Sequence, residues 1–248
     1  MELYQKLLSI AGVCIIFFTA QTMLFAADAA TQDESDQLVP GYSEQYTFRV
    51  AGAPIGGQSA TLSRIDNGQQ TWVFTLDLSM PVDGQQRTFK QSGTFVVGSD
   101  GHAISFNSVS ITNGVSQSEK VVFGARGATA DFDPAIPGAN HTFMTFGQPF
   151  LQVTNLVTPL SIATRAYHVS AIGGFLIPAF SATYLKQVAM TFKPKTNPNW
   201  AGRHFNVFDG TLSVPGQPDT TFEYWLSSSN GEIIRAINKS EKLEIVRN

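Results

Sequence analysis

From Tyr42 onward the chain alternates apolar and polar residues with a period of two, and turn residues cut the alternation at short intervals. Trp72, Phe74, Leu76 and Leu78 fall on one parity, and Val73, Thr75, Asp77 and Ser79 on the other. Only an extended strand sends those two sets to opposite sides, so the pattern restricts the chain to sheets with one buried face. The same rhythm runs through Tyr46-Phe48-Val50, Ala60-Leu62, Phe89 to Val97, Ile104-Phe106 and Val115 to Phe123. Asp66-Asn67-Gly68, Asp83-Gly84, Asp100-Gly101 and Asn113-Gly114 supply the positive φ angles that tight hairpins need. Ala53-Pro54-Ile55-Gly56-Gly57 reads as a further turn. This half of the chain is therefore expected to be a meander of six or seven strands.

The rhythm breaks between Asp133 and Arg165. Pro134, Pro137 and Gly138 mark a loop, and Pro149 suits the first turn of a short helix that would present Leu151, Leu156 and Val157 on one face. Pro159 would end that helix or start another. Strands then resume through Tyr167-Val169-Ala171, Phe175 to Phe180, Val188 to Phe192, Phe205-Val207 and Leu212-Val214. A final hairpin pairs Phe222-Tyr224-Leu226 with Ile233 to Ile237 across Ser229-Asn230-Gly231, and Leu243 to Val246 adds one more strand at an edge. The expected fold is all-β: a large curved antiparallel meander, half-barrel or open barrel, with one short helical or loop insert, because large open sheets curl. Residues 42–248 form a single β domain with the insert at about 134–165.

What precedes that domain reads as a leader. A single early cation, Lys6, is followed by an apolar run from Leu7 to Phe25 and by small residues at Ala26, Ala27, Ala29 and Ala30, the order of a secretory signal peptide over residues 1–29. An uncleaved anchor is the rival reading, since the run approaches bilayer length, but Gly12, Thr19, Gln21 and Thr22 dilute it. Residues 30–41 form a flexible acidic lead-in, with Asp33, Glu34, Asp36 and, just beyond it, Glu44 read as solvated acids. The one cysteine, Cys14, lies inside the leader, so the exported part has no disulfide, thiolate nucleophile or Cys-based zinc site. A cysteine-free secreted domain of this size points to a soluble protein of the bacterial periplasm, not spanning the membrane once the leader is removed. With 16 Lys+Arg against 19 Asp+Glu, the chain lacks the basic surface of a nucleic-acid binder.

Two stretches carry a resemblance. Tyr46-Thr47-Phe48-Arg49-Val50, then Gly52-Ala53-Pro54-Ile55-Gly56 and Ala60-Thr61-Leu62-Ser63, together with Tyr224-Trp225-Leu226-Ser227 running to Asn230-Gly231-Glu232-Ile233-Ile234, resemble the two ends of a group of bacterial exported proteins of unknown function. That resemblance implies a curved antiparallel half-barrel similar to the periplasmic lipoprotein carriers of the LolA/LolB kind. It is also similar to the β domain that precedes some exported hydrolases. It implies no catalytic residues.

The residues themselves offer little chemistry. His102, His141, His168 and His204 form no His-x-x-x-His pair or other zinc spacing. Ser116 lacks the Gly-x-Ser-x-Gly setting of a nucleophile elbow, and Asp131 and Asp133 read as residues of a Pro-flanked turn. Gly173-Gly174 lacks the Lys-Ser/Thr of a phosphate loop. No cofactor, metal or catalytic residue is assigned, and no enzyme activity is expected. The informative feature is apolar: Phe143, Met144, Phe146 and Phe150 in the insert, and Phe175 and Phe180 in the following stretch. Rings in a loop must bury somewhere. They either fill the concave face of the chain's own sheet or line a pocket there for a lipid-like or other apolar ligand, or for an apolar segment of an envelope partner. The expectation is the second, a non-enzymatic binding protein with the insert as lid. A structural or assembly module with a filled core is the first alternative, and a hydrolase whose site assembles from distant residues the second.

Overall fold

The computed structural model describes residues 38–82, 84–136, 141–144, 151–152, 156–166, 174–182, 186–197, 204–214 and 216–248. The first seven strands are β1 (Ser43–Val50), β2 (Ala53–Asp66), β3 (Gln69–Val82), β4 (Gln85–Val97), β5 (Ala103–Thr112), β6 (Val115–Gly124) and β7 (Gly127–Asp133). Then come the short β8 (His141–Met144) and β9 (Leu151–Gln152), and the helix α1 (Thr158–Ala166). The last six are β10 (Phe175–Ser181), β11 (Lys186–Lys195), β12 (Phe205–Ser213), β13 (Thr220–Ser227), β14 (Ile233–Asn238) and β15 (Leu243–Arg247).

All fifteen strands join one sheet, in the order β8 to β1, then β15 to β9. Each neighbouring pair is antiparallel except β9 and β10. The sheet thus has two wings, β1–β8 and β9–β15, joined where β1 pairs with β15 from Tyr46↔Arg247 to Val50↔Leu243. Its free edges are β8 and β9, which do not pair, so the sheet is curved but unclosed. This is the curved antiparallel fold that the alternation implied.

Four local expectations are corrected. Residues 53–57 are not a turn but the start of β2; the hairpin turns at Ala51-Gly52, both at positive φ, 49° and 84°. Gly56 matters for another reason, since at φ 142° a Cβ would lie 1.9 Å from the Asp77 carbonyl oxygen on the adjacent strand. The helix begins after Leu151, and Pro159 opens it rather than ending an earlier one, in a first turn whose N–H groups lack partners within the helix anyway. Finally, β15 lies in mid-sheet between β1 and β14, not at an edge. Local alternation announces a strand but carries no record of a partner some 200 residues away in the chain, as in the Thr47 Oγ1 to Asn248 bond spanning 201. Asp131 and Asp133 stand exposed on β7 rather than in a turn.

The inner face carries the core. In the first wing the ring of Trp72 stacks on Phe95, centroids 5.9 Å apart, and Phe74 stacks on Phe106 at 5.5 Å. In the second, Phe175 stacks on Phe192 at 4.5 Å, and Phe192 leans on Tyr224 at 5.3 Å. The Tyr224 ring lies where Gly210 leaves room, since a Cβ there would meet it at 2.5 Å. The wings touch through Phe180 of β10, which meets Phe123 of β6 at 6.0 Å and Phe143 of β8 at 5.9 Å. One strand inverts the usual pattern: β5 buries Ser108, Ser110 and Thr112 and exposes Val109 and Ile111. Phe106 fixes this parity by packing on Phe74, and strict alternation carries the three hydroxyls inward with it.

Candidate functional site: the filled inner face

The inner face was the expected ligand site, and α1 occupies it. Every residue from Thr158 to Thr164 is buried, polar ones included. Leu160, Ile162 and Ala163 join the aromatic core. The hydroxyl residues instead reach the sheet through hydrogen bonds. Gln58 of β2 donates from Nε2 to Thr158 Oγ1 at 2.6 Å and accepts from the Val157 N–H at 2.7 Å. The amide of Ile233 donates to Ser161 Oγ at 3.3 Å. A buried glutamine thereby satisfies an amide at the helix entrance that would otherwise be orphaned.

The C-terminal end of α1 rests on a charge cluster. Arg165 Nη2 lies 2.9 Å from Glu44 Oε1 and 2.6 Å from Glu232 Oε1, and it also donates to the Tyr42 hydroxyl at 2.6 Å. Arg247 pairs with the other oxygen of Glu232 and donates to the Tyr42 hydroxyl at 2.8 Å. The Tyr42 hydroxyl donates to Glu232 at 2.9 Å, and Tyr46 donates to the Ile233 carbonyl at 3.2 Å. Two arginines thus meet two carboxylates, and the charges balance. Arg165 also suits its place in the last helical turn, where a cation meets the negative end of the helix dipole.

Burial costs the members of this cluster. It pushes the Glu44 carboxyl up despite the nearby Arg165, and the Tyr46 phenol well up, with the Glu44 charge adding to the effect. Tyr42 is raised by burial as well, against the pull of Arg165. For Arg165 burial opposes the charge, but Glu44 and Glu232 outweigh it and keep the guanidinium ionised. Glu44, read from sequence as a solvated acid, has a side chain with 0% exposure. The correction has a plain cause: Glu44 shares its parity on β1 with Tyr46 and Phe48, both core residues.

Of the six predicted ligand-lining residues, Phe143 and Phe180 come together, and Phe180 is fully buried. Phe175 belongs to a separate stack with Phe192 and Phe208. Phe146, Phe150 and the side chain of Met144 lie outside the described residues. A partly open space of about 10 Å³ lies between the sheet and the start of α1, against Phe95, Phe106, Phe123, Leu151 and Pro159. That is room for about one water molecule. Sequence reasoning missed the charge cluster, whose members lie 121 residues apart for Arg165 and Glu44 and 205 apart for Arg247 and Tyr42. Only the parity of Glu44 hinted at it. Among the described residues no helix is long and apolar enough to cross a membrane.

Fold and inner face together define a class: an unclosed, barrel-like antiparallel sheet curved around one short internal helix. Among solved structures, the chain is similar to a β-barrel-like protein of the domain of unknown function DUF1849 from Brucella abortus, with a TM-score of 0.51 and 12% identity over 83% of this chain and 94% of that one. It also aligns with a DUF1089 family protein from Pseudomonas aeruginosa, with a TM-score of 0.43 and 8% identity over 84% and 95% of the two chains. No family model matches the chain, and no curated protein matches it in sequence. At such identity the first likeness shows the fold alone, and the second is too distant to argue from. The likeness is to a bacterial β-barrel-like protein of unknown function rather than to the lipoprotein carriers in particular.

Proposed function

We propose that this chain is a non-enzymatic protein of the bacterial envelope that acts as a structural or assembly module, through contacts made by the outside of a filled half-barrel. One observation carries this reading: the inner face is occupied by the chain's own helix and rings, and the space beside α1 is about 10 Å³. Pockets for drug-sized molecules run to about 300 Å³ or more. Export, the premise that puts the protein in the envelope, rests on the leader.

Organic extraction of the purified protein followed by mass spectrometry should return no amphiphile near equimolar amount, and an apolar dye should gain no fluorescence. A lipid recovered at one per chain would overturn the filled-core reading. It would restore the reading in which the concave face of the sheet holds a lipid-like or other apolar ligand with the insert as lid.

A further inference from the structure

The two wings share a core but present different outer faces. That of the second wing is charged, and its charges are tied to one another. Lys195 lies 3.2 Å from Asp209 and 2.7 Å from Glu223, Lys239 lies 3.2 Å from Glu223, and Arg235 pairs with Glu244 while lying 5.1 Å over the Trp225 ring. The outer face of the first wing is made of short side chains. Across β3 to β6 one row reads Thr75, Ser92, Val109 and Ser118, and the next Asp77, Lys90, Ile111 and Ser116. Val73, Val109, Ile111 and Val122 stand 41% to 46% exposed on this face. Among the described residues the second wing shows one large apolar side chain so exposed, Leu176. Strand β5 is where the two kinds of residue change places. The contact of Phe106 with Phe74 settles its parity, but not the choice of valine and isoleucine for its outward positions. A strand with water on that side carries polar residues there, as β4 and β6 do with Lys90, Ser92, Ser116 and Ser118.

We infer that the outer face of β3–β6 is the contact surface for a second copy of this chain, packed face to face about a two-fold axis near β5. This rests on the reading of the protein as an assembly module and supplies that module with a partner. The charges of the face select the partner. Lys90 Nζ lies 2.6 Å from Asp77, and Lys120 stands opposite Asp131 across β6 and β7, so each cation already has an acid beside it. A strongly charged partner would bury its charge against a neutralised surface, whereas an identical face brings none to spare. In an isologous contact the same patch meets itself, which sets Val109 and Ile111 of one copy against those of the other. Area agrees. Four strands at about 4.8 Å and eight residues at about 3.4 Å give roughly 500 Å² per copy. Two copies together reach the roughly 1,000 Å² at the low end of specific interfaces, so the dimer is a weak one. Because the face is convex, its contact centres on the aliphatic pair of β5.

Sedimentation equilibrium of the purified protein should show monomer and dimer exchanging at micromolar concentration. Val109→Lys combined with Ile111→Lys should raise the dissociation constant about a hundredfold, because it sets like charges against each other at the centre of the contact. The monomer should melt where the unaltered monomer does, since both side chains are already exposed in the single chain. Leu176→Lys, at a position 48% exposed on the second wing, should leave the dimer as it was. A protein that stays monomeric throughout, a dimer indifferent to the two β5 lysines, or a dimer lost with Leu176→Lys would each overturn the inference. So would a monomer that binds phosphatidylcholine vesicles and loses them with the β5 lysines, which would assign the face to a lipid surface. None of these outcomes bears on the filled interior, which solvent extraction tests separately.

Discussion

At the scale of single residues, backbone approach and burial set the sharpest demands. A Cβ on Gly93 would lie 2.0 Å from the Asn107 carbonyl oxygen of the neighbouring strand, a backbone atom that cannot turn aside. Gly93→Ala is therefore expected to cost about 3 kcal/mol, at the upper end of overpacking penalties, read as a lower urea midpoint with an unchanged slope. Glu241 sits half-buried in the β14–β15 turn, and burial pushes its carboxyl from 4.5 up to about 7. Between those values the folded chain binds more protons than the unfolded one, so stability falls as pH rises through that window. Glu241→Gln should raise stability at pH 8 by up to about 1 kcal/mol, an estimate kept small because solvent screens the group. It should change nothing at pH 4, and equal melting shifts at both pH values would rule out the assignment.

At the scale of elements, α1 shows how a short helix is held where propensity alone would not keep it. Its apolar residues pack on the rings, while Gln58, Ser161 and Arg165 fix its position along the sheet. Arg165→Met would leave Glu44 and Glu232 buried beside the single cation Arg247, and breaking a buried pair from one side costs about 3 kcal/mol or more. Chemical denaturation should show that loss. Glu44→Gln should cost less than half as much, because burial already disfavours its charge. The strands were legible in the sequence because period-two alternation depends only on neighbours, as Trp72 to Leu78 illustrate. The location of α1 was not, since Leu151, Leu156 and Val157 satisfy a helical face in sequence, whereas Leu151 belongs to β9 and Leu156 and Val157 are buried in the core just ahead of the helix. The charge cluster was illegible for a different reason: its members are ordinary surface residues until β1, α1, β14 and β15 bring them together.

At the scale of the whole molecule, the order of strands along the chain differs from their order in the sheet only at the junction of the wings. A circular permutant that links residue 248 to residue 42 and opens the chain within residues 145–150 would make every pairing local, with β15 and β1 as a hairpin. Lower contact order speeds folding. The permutant should refold about tenfold faster than the natural order at similar stability, as stopped-flow tryptophan fluorescence would report; an unchanged rate would mean that this closure is not limiting. The free edges have a separate consequence. In a closed barrel, strand number and stagger jointly fix the radius, so adding a strand forces the whole interior to be rebuilt. Here β8 and β9 end without meeting, and the circumference is not tied to an integer. Such a sheet can gain or lose strands at its two ends through descent while its central rows stay as they are, with the internal helix adjusting to the girth that results.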